Sequence, residues 1–246
     1  MLKRRRGIYL LPNLFTTAAL FAGFYAIVAA NNGHFEAAAM AIFVAMILDG
    51  MDGRIARLTG TETDFGVQYD SLSDMVSFGL APALVMHQWS LFNFGKLGWL
   101  AAFIYAAATA LRLARFNTQA DSADKHYFQG LPSPAAAALI AGLVWLGDVN
   151  GLDDGSTKLF ITFPVTLLAG VLMVSNIRYH SFKQINLHGR VPFVSILILV
   201  LLFVFIASEP SLILFLVFAC YAASGPIVTL MLLRRHRANR EGDGAS

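Results

Sequence analysis

The chain has 246 residues, of which 57% are hydrophobic and only 13% are charged, and its formal net charge is +3 at pH 7. Its mean hydropathy of +0.63 is far from that of an average globular domain. The single cysteine, Cys220, excludes an internal disulfide framework and a zinc site built from clustered cysteines. We therefore predict an all-α integral membrane protein.

Apolar segments follow one another along the whole chain and predict about eight transmembrane helices. The first segment follows a basic flank but is long, which is typical of a retained span rather than of a cleaved signal peptide. The fifth is short. The segments run from about 13 to 30, 35 to 57, 66 to 88, 97 to 116, 133 to 146, 159 to 175, 191 to 207, and 212 to 233.

Basic residues are distributed unevenly between the two faces that eight spans would create. One face receives most of them, and the opposite face receives only Lys96 and Lys158. This asymmetry follows the positive-inside rule, so we predict that both termini are cytoplasmic. The basic residues assigned to the cytoplasmic face are residues 3–6, Arg54, Arg57, Arg112, Arg115, Lys125, Arg178, Lys183, Arg190 and residues 234–237.

Four aspartates lie at the predicted cytoplasmic ends of spans two and three. Helical spacings of three and four place them on two stripes, one on each span, together with small residues. A nine-residue hinge between the spans, residues 58–66, would turn the stripes towards each other, which predicts four carboxylates in one pocket. The first stripe contains Asp49, Asp52, Gly53, Ala56 and Arg57. The second stripe contains Gly66, Asp70 and Asp74.

Placing an ionised carboxylate at membrane depth costs free energy, so such residues usually line a water-filled cavity and have a function. Four like charges in one pocket also repel one another, which a divalent cation would relieve. Oxygen ligands without nearby histidine or cysteine suit Mg²⁺ or Mn²⁺, and such ions commonly bind phosphates. The small residues would let a bulky group approach the backbone, and Arg57 offers a planar fork to phosphate oxygens.

The same eight residues form a gapless pattern: DxxDGxxAR, eight residues, then GxxxDxxxD. This pattern resembles the signature of the CDP-alcohol phosphotransferases, integral membrane enzymes of phospholipid head-group synthesis. Four longer phrases, between about residues 11 and 138, resemble the phosphatidylserine synthase branch of that family, the CDP-diacylglycerol:serine O-phosphatidyltransferases. These phrases are LPNLFTTAALFAGFYAI, DFGVQYDSLSDMVSFGLAPA, LRLARFN and FQGLPSPAAAA.

The resemblance implies a helical membrane fold, commonly homodimeric, with two divalent metal ions per site. It also implies transfer of a phosphatidyl group from CDP-diacylglycerol to L-serine, with release of CMP. The implied metal ligands are Asp49, Asp52, Asp70 and Asp74. Asp74 is also the implied general base. Residues implied to contact or make room for the nucleotide donor are Gly53, Ala56, Arg57, Gly66 and, through a family-like PNxxT phrase, Asn13 and Thr16; helix-start chemistry explains the last two nearly as well.

Arg112 and Arg115 lie three residues apart near the cytoplasmic end of span four, so they share a helix face. We hypothesise that one of them binds the serine carboxylate or a donor phosphate, because bidentate geometry favours arginine. Ordinary positive-inside anchoring is the alternative explanation.

The sequence thus predicts one polytopic domain over residues 1–246, with a catalytic core at about 11–180 and a disordered basic tail at about 235–246. Its expected place is the bacterial inner membrane, with the active site facing the cytoplasm. Another acceptor, such as glycerol phosphate or an inositol compound, would use the same chemistry. A divalent-cation transporter is an alternative from a different class, although no other span carries an acid near its middle. Nucleic acid is not an expected partner, because the basic residues follow membrane topology.

Overall fold

The computed structural model describes residues 10–119, 127–152, 155–180 and 193–243, and most of these residues are helical. The basic residues at 3–6, Lys125, Lys183 and Arg190 lie outside the described residues. The helices are α1 (Leu10–Asn31), α2 (Phe35–Thr59), α3 (Asp64–Asp74), α4 (Ala81–Trp89), α5 (Lys96–Gln119), α6 (Ser133–Val149), α7 (Gly155–Val174), α8 (Phe193–Ser208) and α9 (Pro210–Asp243).

Helix α3 continues into α4 through a π-helical segment, Met75–Leu80, and a short 3₁₀ turn, Leu91–Phe94, follows α4. The predicted third span is therefore a single helical rod with a π turn inside it. Within the described ranges, three helices are long and apolar enough to cross a membrane by length and composition: Leu10–Asn31, Lys96–Thr118 and Pro210–Met231. The all-α membrane fold agrees with the sequence, whereas the number of spans and the side of the termini stay predictions.

Helix α6 lies in the middle of the bundle, where it packs against α2, α4, α7 and α9. Most of its residues from Ser133 to Gly147 are buried, and many of them are alanines. A helix that is apolar on all sides belongs in such a central position, and small residues let its neighbours approach closely. The short fifth predicted span is thus the core helix of the described chain.

Helices α1, α2 and α3 meet at one corner of the bundle. Helix α2 ends at Thr59, with Gly60 in the left-handed conformation at φ 59°, and Thr63 caps α3 by accepting a hydrogen bond from the Gly66 amide at 3.0 Å. The turn between α2 and α3 is therefore only residues 60–63. It is shorter than the predicted hinge, and it lets both aspartate-bearing helices pack against α1.

A two-stranded antiparallel sheet joins β1 (Tyr127–Gln129) to β2 (Arg178–His180), which the sequence did not predict. Tyr179 of this sheet is buried, and its hydroxyl donates a hydrogen bond to the Ala222 carbonyl of α9 at 2.9 Å. Burial, with a smaller contribution from Tyr221, raises the pKa of Tyr179 to about 12, so the hydroxyl remains a donor at neutral pH. The sheet is thereby attached to α9.

Helix α9 extends to Asp243 and so includes residues 235–243, for which the sequence predicted a disordered tail. Arginine and alanine, which are common there, are good helix formers, and no proline follows Pro226. The helix can therefore continue past its apolar part. The last three residues, 244–246, lie outside the described residues.

Candidate active site

Three aspartates from two helices converge at the corner formed by α1, α2 and α3. Asp49 comes from α2, and Asp70 and Asp74 come from one face of α3. One carboxylate oxygen of each lies within 4.8 Å of the other two, and all three side chains are half-buried. Three carboxylates at this separation repel one another unless a cation or a proton lies between them.

The carboxylate of Asp74 includes an oxygen that indicates a ligand position. Its Oδ1 atom is buried and has no hydrogen-bond partner among the residues that the structure describes. The charges that act on this carboxylate come from Asp49, Asp70 and Arg112. Because a buried polar atom without a partner is costly, this oxygen indicates a ligand or proton position. An all-oxygen donor set with such an atom fits a hard divalent cation.

Asp52 lies beside this group but outside it. The side chain is only 4% exposed, and its Oδ2 atom accepts a hydrogen bond from the Thr16 hydroxyl at 2.6 Å. The sequence predicted four carboxylates in one pocket, and the structure brings three together. Residue spacing along α2 and α3 does not reveal this contact, because the partner of the fourth carboxylate comes from α1, which packs against both helices.

The small residues predicted to accommodate a donor lie around the carboxylates. The guanidinium of Arg57 lies over Gly53, since a Cβ atom built on Gly53 would be 3.7 Å from Arg57 Nη1. A Cβ atom on Gly66 would be 3.6 Å from the side-chain oxygen of Asn13. Ala56 is half-buried, one turn after Gly53. Asn13 and Gly66 are thus neighbours, and the role of these residues in binding a donor stays a prediction.

The two arginines of α5 lie in different surroundings, although the sequence predicted a shared face. Arg112 donates a hydrogen bond from Nη1 to the Ser133 hydroxyl at 2.8 Å, and its buried Nε has no partner among the described residues. Arg115 contacts the Asn176 side chain at 3.3 Å. Only Arg112 acts on Asp74, so it is the arginine that borders the carboxylates.

A family model for CDP-alcohol phosphatidyltransferases matches residues 9–175. The chain belongs to this family. The matched region contains α1 to α7, all four aspartates and both arginines, whereas α8 and α9 lie beyond it.

Several curated relatives are similar over most of the chain. A CDP-diacylglycerol–serine O-phosphatidyltransferase of Helicobacter pylori is 41% identical over 198 residues, which cover 80% of this chain and 83% of that protein. One of the same name from Mycobacterium leprae is 30% identical over 91% of this chain and 76% of its own length. The archaetidylserine synthase of Methanothermobacter thermautotrophicus is 32% identical over 72% of each chain.

Three further residues surround Arg112 in this member of the family, and the sequence hypothesis did not include them. Tyr105 and Tyr221 lie close enough to interact electrostatically with the guanidinium, and Ser133 accepts its hydrogen bond. Tyr105 precedes Arg112 by seven residues, so helical periodicity could have placed it on the same face. Tyr221 comes from the apolar part of α9, which contains no signal that would have singled it out.

Proposed function

We propose that the protein transfers the phosphatidyl group of CDP-diacylglycerol to the hydroxyl of L-serine, which yields phosphatidylserine and CMP. The observation that carries this proposal is the group formed by Asp49, Asp70 and Asp74 with Arg112 beside it. Family membership supports the phosphatidyl transfer, and the names of the bacterial relatives support serine as the acceptor.

The metal-binding part of the proposal assigns Asp49, Asp52, Asp70 and Asp74 to two divalent ions, Mg²⁺ or Mn²⁺. Their carboxylates supply only oxygen ligands, which such ions prefer. When bound, these ions would neutralise the donor's pyrophosphate and the negative charge that develops during in-line displacement.

The donor part of the proposal assigns the nucleotide to the surface beside the carboxylates. Gly53 and Ala56 leave room there for a flat base and sugar, and Gly66 lets α3 approach Asn13. Arg57 lies over Gly53 and can present its planar fork to phosphate oxygens. The lipid chains of the donor would remain in the bilayer, next to the exposed apolar side chains of the helices.

Asp74 is the proposed general base. Its buried Oδ1 has an unused lone pair that can accept the proton of the serine hydroxyl. The serine oxygen then forms a bond to the phosphorus that bears diacylglycerol, while the bond between that phosphorus and the CMP oxygen breaks. CMP leaves with the electron pair of this bond. Because a carboxylate is a weak base, close placement of the hydroxyl supplies much of the acceleration.

Arg112 is the proposed binding residue for the serine carboxylate. Ser133 holds one arm of its guanidinium, and the buried Nε remains available as a second donor. A carboxylate acceptor would satisfy this buried nitrogen, whereas a neutral alcohol would leave it without a partner. Recognition at this position therefore favours an anionic acceptor over a neutral alcohol, and the names of the relatives support serine as that acceptor.

The decisive experiment measures CMP release from labelled CDP-diacylglycerol by the purified protein in nanodiscs. Serine, glycerol 3-phosphate and inositol phosphate are offered separately, each with titrated Mg²⁺ or Mn²⁺. We expect release only with serine and metal. Use of another alcohol without use of serine would refute the serine assignment. Metal flux into sealed proteoliposomes without any nucleotide donor would instead favour a transporter.

We also propose that the protein is a homodimer of the bacterial inner membrane with its active site on the cytoplasmic side. The charge asymmetry of the chain supports the orientation. The dimer is supported by the family resemblance alone. Mass photometry or native mass spectrometry of the protein in nanodiscs would measure the number of chains, and a single chain per particle would refute the dimer.

A further inference from the structure

Thr16 of α1 contacts both of the helices that carry the aspartates. Its hydroxyl lies 2.6 Å from Asp52 Oδ2 of α2, and its backbone carbonyl accepts a hydrogen bond from the Ser73 hydroxyl of α3 at 3.1 Å. Ser73 directly precedes Asp74 in the chain. Thr16, Asp52 and Ser73 are all buried, with 4%, 4% and 2% of their surfaces exposed. Thr16 is therefore part of the internal packing behind the carboxylates.

The hydroxyl of Thr16 has a carboxylate as a second and closer partner. Thr17, Thr59, Thr109 and Thr118 donate to the carbonyl four residues earlier at 2.7–3.1 Å, which is the usual bond of a helical threonine. The corresponding distance from Thr16 to the Pro12 carbonyl is 3.2 Å. A hydroxyl has a single proton, and the shorter contact with a carboxylate is the stronger hydrogen bond. The proton of Thr16 is thus directed to Asp52.

We infer that Thr16 is a positioning residue that orients the Asp52 carboxylate for metal binding, and that it does not contact the nucleotide donor. The hydroxyl occupies one lone pair of Oδ2, which fixes the rotation of the carboxylate and leaves its other lone pairs available to a cation. A side chain that is 4% exposed, with its only proton bound to Asp52, has no donor left for a substrate. This inference rests on the metal assignment of Asp52 in the proposed function.

Direct Mn²⁺ binding tests this inference without any turnover. The full-length protein in detergent is titrated with Mn²⁺, and free Mn²⁺ is measured by electron paramagnetic resonance. Thr16→Val keeps the shape but removes the donor, and we expect it to weaken Mn²⁺ binding about 10- to 100-fold, as loss of an outer-shell partner does in metal sites. Thr16→Ser restores the hydroxyl and should restore most of the affinity. Should Thr16→Val fail to fold, the smaller Thr16→Ala carries the same expectation.

Thr17→Val is the matched control, because it makes the same change one residue later. Its hydroxyl bonds to the Asn13 carbonyl and contacts the Tyr69 hydroxyl, and neither of these partners is a carboxylate. Mn²⁺ affinity should remain that of the wild type. In an Asp52→Asn background, Thr16→Val should cause little further loss of affinity, because the two residues act as one unit.

Kinetics separate this inference from the donor-contact hypothesis. A Thr16→Val variant with wild-type Mn²⁺ affinity, or with only a raised KM for CDP-diacylglycerol, would overturn it. Additive losses in the Asp52→Asn background would also overturn it. If Mn²⁺ binds as expected but the protein uses an alcohol other than serine, the serine assignment fails and the role of Thr16 stands.

Discussion

At the residue scale, the chemistry depends on carboxylates whose surroundings differ. Asp49, Asp70 and Asp74 lie within 4.8 Å of one another, whereas Asp52 is bonded to Thr16. Spacing along the helices was sufficient to predict the first three as neighbours. It could not predict the partner of Asp52, because that contact comes from a third helix and from a distance of 36 residues along the chain.

The first prediction concerns Asp70 and Asp74. Changing either to asparagine removes a negative ligand, and in Asp74 also the proton acceptor, while the shape stays nearly the same. We expect CMP release to fall by a factor of about 100 or more in each variant, since positioned general bases alone contribute that much. The rate is measured at saturating serine and metal.

Asp64→Asn is the matched control for these variants. Asp64 begins the same helix, α3, but it is exposed and lies outside the group of three. Loss of its charge near a helix N-terminus costs only about 0.3–1 kcal/mol of stability, so turnover should be retained. Full activity of Asp70→Asn or Asp74→Asn in protein that elutes as folded would contradict the roles assigned here.

A second prediction distinguishes the two arginines. Arg112→Gln should raise the KM for serine about 10- to 100-fold, because a hydrogen bond to a charged group contributes about 1.5–3 kcal/mol. Arg115→Gln should leave that KM unchanged, since Arg115 contacts Asn176 and not the carboxylates. Steady-state kinetics with serine as the varied substrate provide the measurement. An unchanged KM in Arg112→Gln would remove the proposed carboxylate contact.

At the element scale, the rod formed by α3, the π-helical segment and α4 is held by two neighbours. Ser73 and Ser77 donate to the Thr16 and Ala19 carbonyls of α1 at 3.1 and 3.0 Å. On the other side, the buried Tyr105 hydroxyl of α5 donates to the Phe78 carbonyl at 3.1 Å. These bonds fix the part of the rod that contains Asp74, the last residue before the π turn. π turns inside α-helices are frequent at functional sites.

The sequence predicted this rod as one uninterrupted span because apolar periodicity does not distinguish a π turn from an α-helix. The π turn changes which carbonyl each amide bonds to, and no residue type is required for that change. The β1–β2 pairing was missed for a related reason: strands of three residues are too short to show an alternating pattern. The presence of helices could thus be predicted from the sequence, whereas these local departures depend on contacts between distant segments.

A third prediction concerns the contact between α1 and this rod. A Cβ atom on Gly23 would lie 2.7 Å from Ser77 Cα, which is backbone and cannot move alone. Gly23→Ala should therefore separate α1 from the rod, lower the free energy of unfolding by about 1–3 kcal/mol and displace Asp74. Thermal unfolding in detergent and CMP release would both decrease.

Gly50→Ala serves as the comparison for stability. Gly50 is also in a helix, but nothing lies within 4 Å of the position that its Cβ atom would take. Alanine is favoured over glycine inside a helix by about 0.5–1 kcal/mol, so the Tm should stay the same or rise. If Gly23→Ala unfolds at the wild-type temperature, the close packing of α1 on the rod is wrong.

At the scale of the whole molecule, the two ends of the bundle differ in the contacts between their helices. At one end, Lys158 lies 4.0 Å over the Trp89 ring, and the Ser90 hydroxyl contacts that of Thr162 at 2.8 Å. The other end has Arg115 beside Asn176 and contains the carboxylate group. Lys158 thus lies at one end and Arg115 at the other, and the side that faces the cytoplasm stays a prediction.

A fourth prediction tests that orientation. In a Cys220→Ser background, a single cysteine is introduced by Asn93→Cys, between α4 and α5, or by Glu62→Cys, between α2 and α3. Both positions are exposed. An impermeant maleimide added to intact spheroplasts should label only the first variant, and the second should react after permeabilisation. The reverse pattern would place the active site on the outer side.

The position of the carboxylates along their helices has a consequence for how the substrates meet. Helix α2 continues for seven residues beyond Asp52, from 53 to 59, and α3 begins six residues before Asp70. At 1.5 Å per residue, α2 continues for about 10 Å past Asp52, and α3 begins about 9 Å before Asp70. In the proposed orientation, a water-soluble amino acid would reach the carboxylates from the aqueous phase, whereas an amphiphile would arrive within the bilayer by two-dimensional diffusion. Reaction velocity should then follow the mole fraction of CDP-diacylglycerol in the bilayer rather than its bulk concentration.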